Sequence, residues 1–129
     1  MKMRTTLLSL WVLAIGYAHA QIEVTVYTYQ AVPSQTDTSP LITADGSKIP
    51  VELLDRGVLR WVAVSEDLQQ LGFPLGSEMY ISNIGERSGV YEVRDLMNER
   101  HELSVDILIC NTCEVGVWRK VKVYHTLGH

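Results

Sequence analysis

The chain has 129 residues, which is enough for a single domain with a modest hydrophobic core and too few for two such domains. Its formal net charge is −4 at neutral pH. A nucleic-acid-binding surface needs clustered Lys and Arg, and the single basic cluster, residues 119–122, is small and alternates like the solvent face of a strand. We therefore expect no nucleic-acid partner.

Residues 1–20 have the pattern of a cleaved signal peptide. Two basic residues precede a mostly apolar run at 7–17, and residues 18–20 read Ala-His-Ala, the small-x-small pattern that precedes a signal-peptidase cut. The apolar run is shorter than the roughly 20 residues needed to cross a bilayer, and no Cys follows the cut to carry a lipid. We expect a mature domain of residues 21–129, secreted or periplasmic, monomeric and without a stable membrane anchor.

Strand patterns dominate the mature chain. A hairpin turn is predicted at residues 44–47 and a loop at 83–89. Residues 65–71 predict a helix with Ser65 as N-cap, and residues 111–117 predict a second short helix or a turn. Alternating or continuous apolar runs predict six strands: Ile22–Tyr29, Trp61–Ser65, Glu78–Ile84, Gly89–Asp95, Ser104–Cys110 and Trp118–Tyr124. This spacing predicts an all-β fold with one or two short helices, either a small closed barrel or a sandwich.

Asp106 stands out because it lies in the middle of an apolar strand pattern. Its neighbours on both strand faces are apolar, and alternation places it on the face shared with Leu108 and Cys110. A carboxylate in such surroundings is costly unless it is hydrogen-bonded, paired or protonated, and a raised pKa suits a general acid.

Two further aspartates have a suggestive context. Asp95 ends a predicted strand, and alternation places it with Tyr91 and Val93, pointing toward the core. Asp37 lies in a polar loop that ends at Pro40. Each also has an ordinary structural interpretation, since Asp95 can cap a turn and Asp37 can form an Asx-turn.

Six segments together resemble the 3D domains, which are named for three aspartates. They occur in the family's order: TDTSP (36–40), ITADG (42–46), VAVSEDL (62–68), FPLGSEMYI (73–81), GVYEVRDLMNERH (89–101) and LSVDIL (103–108). Over residues 24–123 the chain looks like the catalytic barrel of the membrane-bound lytic transglycosylase A family and of the stationary-phase muralytic proteins. The resemblance implies a six-stranded double-psi β-barrel that cleaves the glycan strand of peptidoglycan.

The resemblance also implies a mechanism. Asp106 matches the general acid, which protonates the leaving oxygen and then, as a carboxylate, assists closure of a 1,6-anhydromuramyl ring. Asp95 and Asp37 match the other two aspartates, which position this acid and adjust its pKa. An intramolecular hydroxyl replaces the second carboxylate of ordinary glycosidases, so one acid suffices. No metal or cofactor is required.

Four residues are candidates for substrate binding. Thr36 and Thr43 match family positions that line the sugar groove, although Thr43 can equally support a hairpin turn. Tyr29 can stack on a sugar ring or simply pack. His101 lies between the last two aspartates in sequence, where it can contact substrate or remain solvated.

Cys110 and Cys113 form a C-x-x-C motif with several interpretations. A structural disulfide or two free thiols suit an oxidising compartment. With His125 and His129 the cysteines also give C-x2-C-x11-H-x3-H, but the segment carrying both histidines alternates like a strand rather than a zinc-finger helix. A thioredoxin-type redox site would need a βαβ context that the remaining chain is too short to provide.

Two classes of function remain open. The first is an exported lytic transglycosylase that cleaves the MurNAc–GlcNAc bond. The second is a non-catalytic double-psi barrel module that binds cell-wall glycan. A divalent-cation site at Asp37, Asp95 and Asp106 is a third interpretation, which the scattered positions disfavour because oxygen-rich metal sites usually draw their ligands from one loop.

Overall fold

A computed structural model describes residues 21–30 and 42–126. These residues form mainly strands, with two short helices and one 3₁₀ turn, so the predicted all-β class is confirmed. The elements in chain order are β1 Gln21–Gln30, α1 Val51–Asp55, β2 Trp61–Val64, α2 Glu66–Gln70, β3 Glu78–Ile81, the 3₁₀ turn Gly85–Arg87, β4 Gly89–Leu96, β5 Ser104–Ile109 and β6 Val117–His125.

The six strands form one sheet that closes on itself in a ring. Around the ring the order is β1, β5, β2, β4, β3, β6 and back to β1. The pairs β1–β5 and β2–β4 are parallel, and the other four pairs are antiparallel. This arrangement is one sheet closed in a ring rather than a sandwich of two sheets.

Side chains alternate between the inside and the outside of this ring, as they do along any strand. The inner cluster takes buried residues from all six strands, for example Val26, Val62 and Val123. A second cluster covers part of the outer face, where Leu54 of α1 packs beside strand residues such as Ala63 and Leu108. The outer face beneath α1 is therefore apolar, and the site described below lies there.

Local details differ from the sequence prediction in three places. The helix α2 has Ser65 at its N-cap as predicted, but the Ser65 hydroxyl accepts from the Ser104 amide, with N···O 3.0 Å. A helix that the sequence does not predict, α1, forms at Val51–Asp55, and residues 111–117 contain a turn, which is one of the two predicted alternatives. The strand β3 ends at Ile81, because Asn83 takes a left-handed backbone conformation with φ of 59° and turns the chain. Among the described residues, neither helix has the length or the apolar character to cross a bilayer.

Candidate functional site

A β-bulge in β4 places Asp95 on the outer face of the ring. The strands β2 and β4 pair Val62 with Val93, and the next pair is Ala63 with Asp95, so Arg94 is the extra residue. Both Tyr91 and Val93 lie in the inner core cluster. The prediction that Asp95 shares their face is therefore wrong, because the bulge shifts the alternation by one residue and re-aims the carboxylate outward.

The bulge brings Asp95 and Asp106 to the same level of the sheet. Ala63 of β2 is the Cα partner of Asp95 on one side and of Asp106 on the other. Two strand spacings separate the two aspartate Cα atoms by about 10 Å. Ala63 is 4% exposed and carries only a methyl group. On the side of Asp106 away from Ala63, its Cα partner is Tyr27 of β1.

Asp106 is a largely buried acid with an unsatisfied oxygen. Its Oδ1 atom is buried and has no hydrogen-bond partner within the described residues. Burial, and then the negative charge of Asp95, raise the pKa of Asp106 from 3.8 to about 7. The carboxyl group therefore stays protonated at pH values where an ordinary Asp has lost its proton, which is the state a general acid requires. The prediction that Asp106 shares a face with Leu108 and Cys110 is confirmed, since both lie in the outer cluster.

Asp95 is held by backbone amides. The amide of Ala44 donates to its Oδ1 with N···O 2.8 Å, and the amide of Leu96 donates to the same oxygen at 2.9 Å. The Tyr29 hydroxyl makes a longer hydrogen bond to Oδ2, with O···O 3.5 Å. These contacts fix the carboxylate beside Asp106, so its charge acts on Asp106 from a defined position.

The turn at residues 43–47 delivers the Ala44 amide. The Thr43 hydroxyl is buried in this turn and donates to Asp45 Oδ1 at 2.6 Å, so the structure places Thr43 in its hairpin-supporting role. Arg94, the bulge residue, clamps the turn from outside through Asp45 Oδ2 at 3.3 Å and Ser47 Oγ at 3.1 Å. Desolvation raises the pKa of Asp45, but hydrogen bonds from Thr43, Ser47 and Arg94 outweigh it and lower the pKa to about 2. The turn is thus charged and rigidly bonded where it meets Asp95.

The aromatic residues of β1 divide into a buried and an accessible one. Tyr29 is 8% exposed, and its ring packs in the outer cluster. Its hydroxyl donates the hydrogen bond to Asp95. Burial, and then the charges of Asp95 and Asp106, raise the pKa of Tyr29 above its usual value, which keeps the phenol a hydrogen-bond donor. Tyr27 is half-buried next to Asp106, and the His101 ring lies edge-on to it at 5.9 Å between centroids. Tyr27 and His101 therefore flank the acid on the β1 side.

Sequence reasoning identified Asp106, Asp95, Tyr29 and His101, and the structure brings all four to one region. It missed the Ala44 amide and the small residue between the acids, because a backbone donor and an alanine carry no chemical signature in a sequence. Of the other three candidates, Thr43 supports the turn at residues 43–47, and Asp37 and Thr36 lie outside the described residues.

Cys110 and Cys113 are joined by a disulfide, with 5.1 Å between their Cα atoms. Both sulfurs are therefore bonded to each other and neither is a thiolate ligand for zinc. His125, which the zinc interpretation needed, stacks on Phe73 at 4.2 Å between ring centroids. Across the described ranges 21–30 and 42–126, no group of three or more His, Cys, Asp or Glu side chains is arranged to hold a metal ion.

Comparison of the chain with protein-family models, with curated proteins and with solved structures finds no match.

Proposed function

We propose that this protein is an exported lytic transglycosylase that cleaves the MurNAc–GlcNAc bond of peptidoglycan, with Asp106 as general acid and then base. The observation that carries the proposal is a largely buried carboxyl group, with one oxygen that has no partner among the described residues, whose pKa lies near 7 because of burial and of Asp95. A protonated carboxyl group that remains partly exposed is what the leaving glycosidic oxygen needs.

In the reaction Asp106 first donates a proton and later accepts one, so its protonation state is restored. Asp106 gives its proton to the glycosidic oxygen as the bond from that oxygen to the muramyl C1 breaks. The C6 hydroxyl of the same sugar then attacks C1, and the Asp106 carboxylate takes the hydroxyl proton. Glycan plus enzyme gives a 1,6-anhydromuramyl end, a free hydroxyl end and the original protonated Asp106, so no water is consumed. Because the attacking hydroxyl belongs to the substrate, a second catalytic carboxylate is not needed.

In this scheme Asp95 is a positioning residue. Its two amide hydrogen bonds hold it beside Asp106, and its charge raises the pKa of Asp106. The partly accessible Tyr27 ring lies on the other side of the acid, where it can pack against a sugar. The glycan would therefore approach Asp106 from the β1 side, where Tyr27 and Asp106 remain partly exposed.

The pairing of the strands supports the finer fold assignment, a double-psi β-barrel. Exchanging the strands β1, β2 and β3 with β4, β5 and β6 leaves the pairing pattern unchanged: β1–β5 becomes β4–β2, both parallel, and β1–β6 becomes β4–β3, both antiparallel. Two interlocked halves related in this way are the arrangement that the resemblance implies.

The test is digestion of purified sacculi followed by mass spectrometry of the soluble products. Wild-type protein is expected to release 1,6-anhydromuramyl fragments, and Asp106→Asn is expected to reduce their release by at least about 100-fold. The variant Glu23→Gln, which neutralises an exposed carboxylate on β1, is the matched control and should retain full activity.

Two outcomes would contradict the proposal. Well-folded wild-type protein that binds sacculi without releasing anhydro products would favour a non-catalytic glycan-binding module. Full activity of Asp106→Asn would show that another group supplies the proton.

A further inference from the structure

A second polar feature lies beyond the acid pair, at the end of β5. A cavity of about 250 Å³ has an apolar wall of strand residues such as Ile107 and Leu108 together with the Cys110–Cys113 disulfide. Two guanidinium groups, those of Arg60 and Arg87, also line it. A pocket that combines aliphatic walls with a few placed charges is the usual form of a small-molecule site.

Neither guanidinium forms an ion pair with a described residue. Within the part of the chain that the structure describes, the recorded ion pairs both belong to Arg94, and no carboxylate lies within 4.0 Å of Arg60 or Arg87. Partly buried arginines usually pair with carboxylates or bind anions, because the guanidinium presents a fork of donors that fits planar oxyanions.

Arg60 is fixed in place before any ligand arrives. Its Nη1 donates to the carbonyl oxygens of Arg87 and Ser88, each at 3.3 Å, and to the Tyr91 hydroxyl at 3.1 Å. Its guanidinium also lies over the Tyr91 ring, with Cζ 5.1 Å from the centroid. The recorded bonds of Arg60 use only Nη1, so the Nε and Nη2 donors have no partner among the described residues. A guanidinium held this way pays little conformational entropy on binding.

The charge and size of the pocket favour a monoanion with a small apolar group. Glu86 also lines the cavity, so two positive and one negative side chain leave a net charge of +1. A carboxylate matches this charge better than a phosphate dianion does. The disulfide and the leucine and isoleucine side chains suit a methyl-sized group next to the carboxylate.

The pocket adjoins the catalytic face. Leu108 lines it and lies two residues after Asp106 on the same outer face, about 7 Å along the strand. A ligand whose sugar lies at Asp106 therefore reaches the pocket with a short substituent.

We propose that the Arg60–Arg87 pocket binds the C-terminal carboxylate of a short peptide attached to the glycan, with the adjoining small side chain against the disulfide. The identity of the peptide as a glycan substituent rests on the proposed function, whereas recognition of a peptide carboxylate does not.

The experiment is a binding titration of the disulfide-intact protein with N-acetyl-D-alanyl-D-alanine and with its C-terminal amide, followed by amide chemical shifts. The free acid is expected to bind at least about tenfold more tightly than the amide. It should shift the amides of Leu108 and Cys110. Inorganic phosphate serves as a competitor of the same charge sign.

Substitutions distinguish binding in the pocket from a general attraction of the anion to surface charge. Arg87→Gln should weaken binding of the acid about tenfold, whereas Glu86→Gln should strengthen it because a like charge is removed. Arg119→Gln removes an exposed arginine on β6 and is expected to change nothing. Arg87 is preferred to Arg60 as the target because Arg60 bonds two backbone carbonyls and the Tyr91 hydroxyl, whereas Arg87 donates one long hydrogen bond to the Glu114 carbonyl, with N···O 3.4 Å.

Equal binding of the acid and the amide, or unchanged binding by Arg87→Gln, would overturn the proposal. Displacement of the peptide by phosphate at equal affinity would also overturn it in favour of a non-selective anion site. If the peptide binds but sacculi yield no anhydro products, the pocket assignment is supported and the proposed lytic function is wrong. If anhydro products form and the peptide does not bind, the pocket assignment alone is wrong.

Discussion

Two causes act on the Asp106 carboxyl group, and substitutions can separate them. Desolvation by the outer apolar cluster is the larger cause of its raised pKa, and the charge of Asp95 is the smaller one. Removing the Asp95 charge leaves the apolar surroundings of Asp106 in place. The contribution of that charge to the pKa of Asp106 can therefore be measured directly.

We expect the pH profile of kcat/KM to fall above neutral pH, because Asp106 must be protonated to act as an acid and its pKa is about 7. Asp95→Asn is expected to move this falling limb to lower pH, since the loss of a nearby negative charge lowers the pKa of Asp106. The measurement is the initial rate of anhydro-product release against pH, with Glu23→Gln as the control. If the falling limb of the pH profile lies at the same pH in Asp95→Asn as in the wild type, Asp95 does not raise the pKa of Asp106.

Burial of Asp106 should also reduce stability as the pH rises. The folded-state pKa of about 7 lies above the ordinary 3.8, so the folded protein holds more protons than the unfolded chain between those values. The free energy of unfolding therefore falls as the pH rises through this window and stays low above it. Asp106→Asn removes this dependence, and its stability relative to wild type should increase by up to about 4 kcal/mol from pH 4 to pH 8.

Urea unfolding of both proteins at several pH values checks this expectation. A difference between the two unfolding free energies that does not vary with pH would mean that Asp106 ionises as readily in the folded protein as in the unfolded chain.

Alternation predicted the face of Asp106 but failed for Asp95. The segment Val93-Arg94-Asp95 contains no glycine or other residue that marks a bulge, and the bulge exists because β4 must pair with β2 over this stretch. That pairing is a property of the assembled sheet. The sequence therefore identified Asp95 as a candidate acid, while only the structure shows that Asp95 lies on the same face of the sheet as Asp106.

At the level of elements, the turn at residues 43–47 links the fold to the acid pair. The turn is bonded internally through Thr43 and Asp45, and it is attached to the sheet by Arg94 and by the Ala44 amide. The geometry of Asp95 therefore depends on a segment far from it in the chain.

Arg94→Gln is expected to loosen this attachment without unfolding the protein. The ion pair with Asp45 is partly exposed, and such pairs contribute at most about 1 kcal/mol to stability. We expect faster hydrogen exchange at the Ala44 amide, together with a partial loss of activity, because that amide helps to hold Asp95. Exchange at Ala44 equal to that of the wild type, measured beside the Arg119→Gln control, would show that the turn is held without Arg94.

Short helices were harder to predict than strands. The strand patterns are several residues long and alternate clearly, whereas α1 has five residues and buries only Leu54. A single turn of helix carries no periodicity in the sequence, and α1 forms because Leu54 packs in the outer cluster beneath it. At 111–117, where the sequence leaves a short helix and a turn as alternatives, the disulfide closes a turn after β5.

At the scale of the whole molecule, every strand pair in the described residues joins one of the first three strands to one of the last three. Among the described residues, β1 pairs with β5 and β6, β2 pairs with β4 and β5, and β3 pairs with β4 and β6. Strand positions follow from local patterns, but partners at this separation do not, so the closed sheet was expected from strand count and from the resemblance rather than from the residues of any one strand.

This topology predicts that neither half folds alone. In a fragment of residues 21–86 the strands β1, β2 and β3 have none of their recorded partners, and in residues 87–129 the strands β4, β5 and β6 have none of theirs. Each fragment would expose the residues of the inner cluster with no sheet to bury them.

We therefore expect each fragment to lack strand signal in far-ultraviolet circular dichroism, and an equimolar mixture to recover it on a timescale set by non-local pairing, milliseconds or longer after encounter. The chain cut lies in the loop at residues 82–88, where Glu86 is exposed, so the cut itself removes little packing. Substituting Val62 by Asp in the first fragment places a charge in the inner cluster and should prevent recovery, whereas Glu23→Gln should not. A fragment that shows strand structure alone would contradict the interlocked arrangement, since it would have formed pairs within one half of the chain.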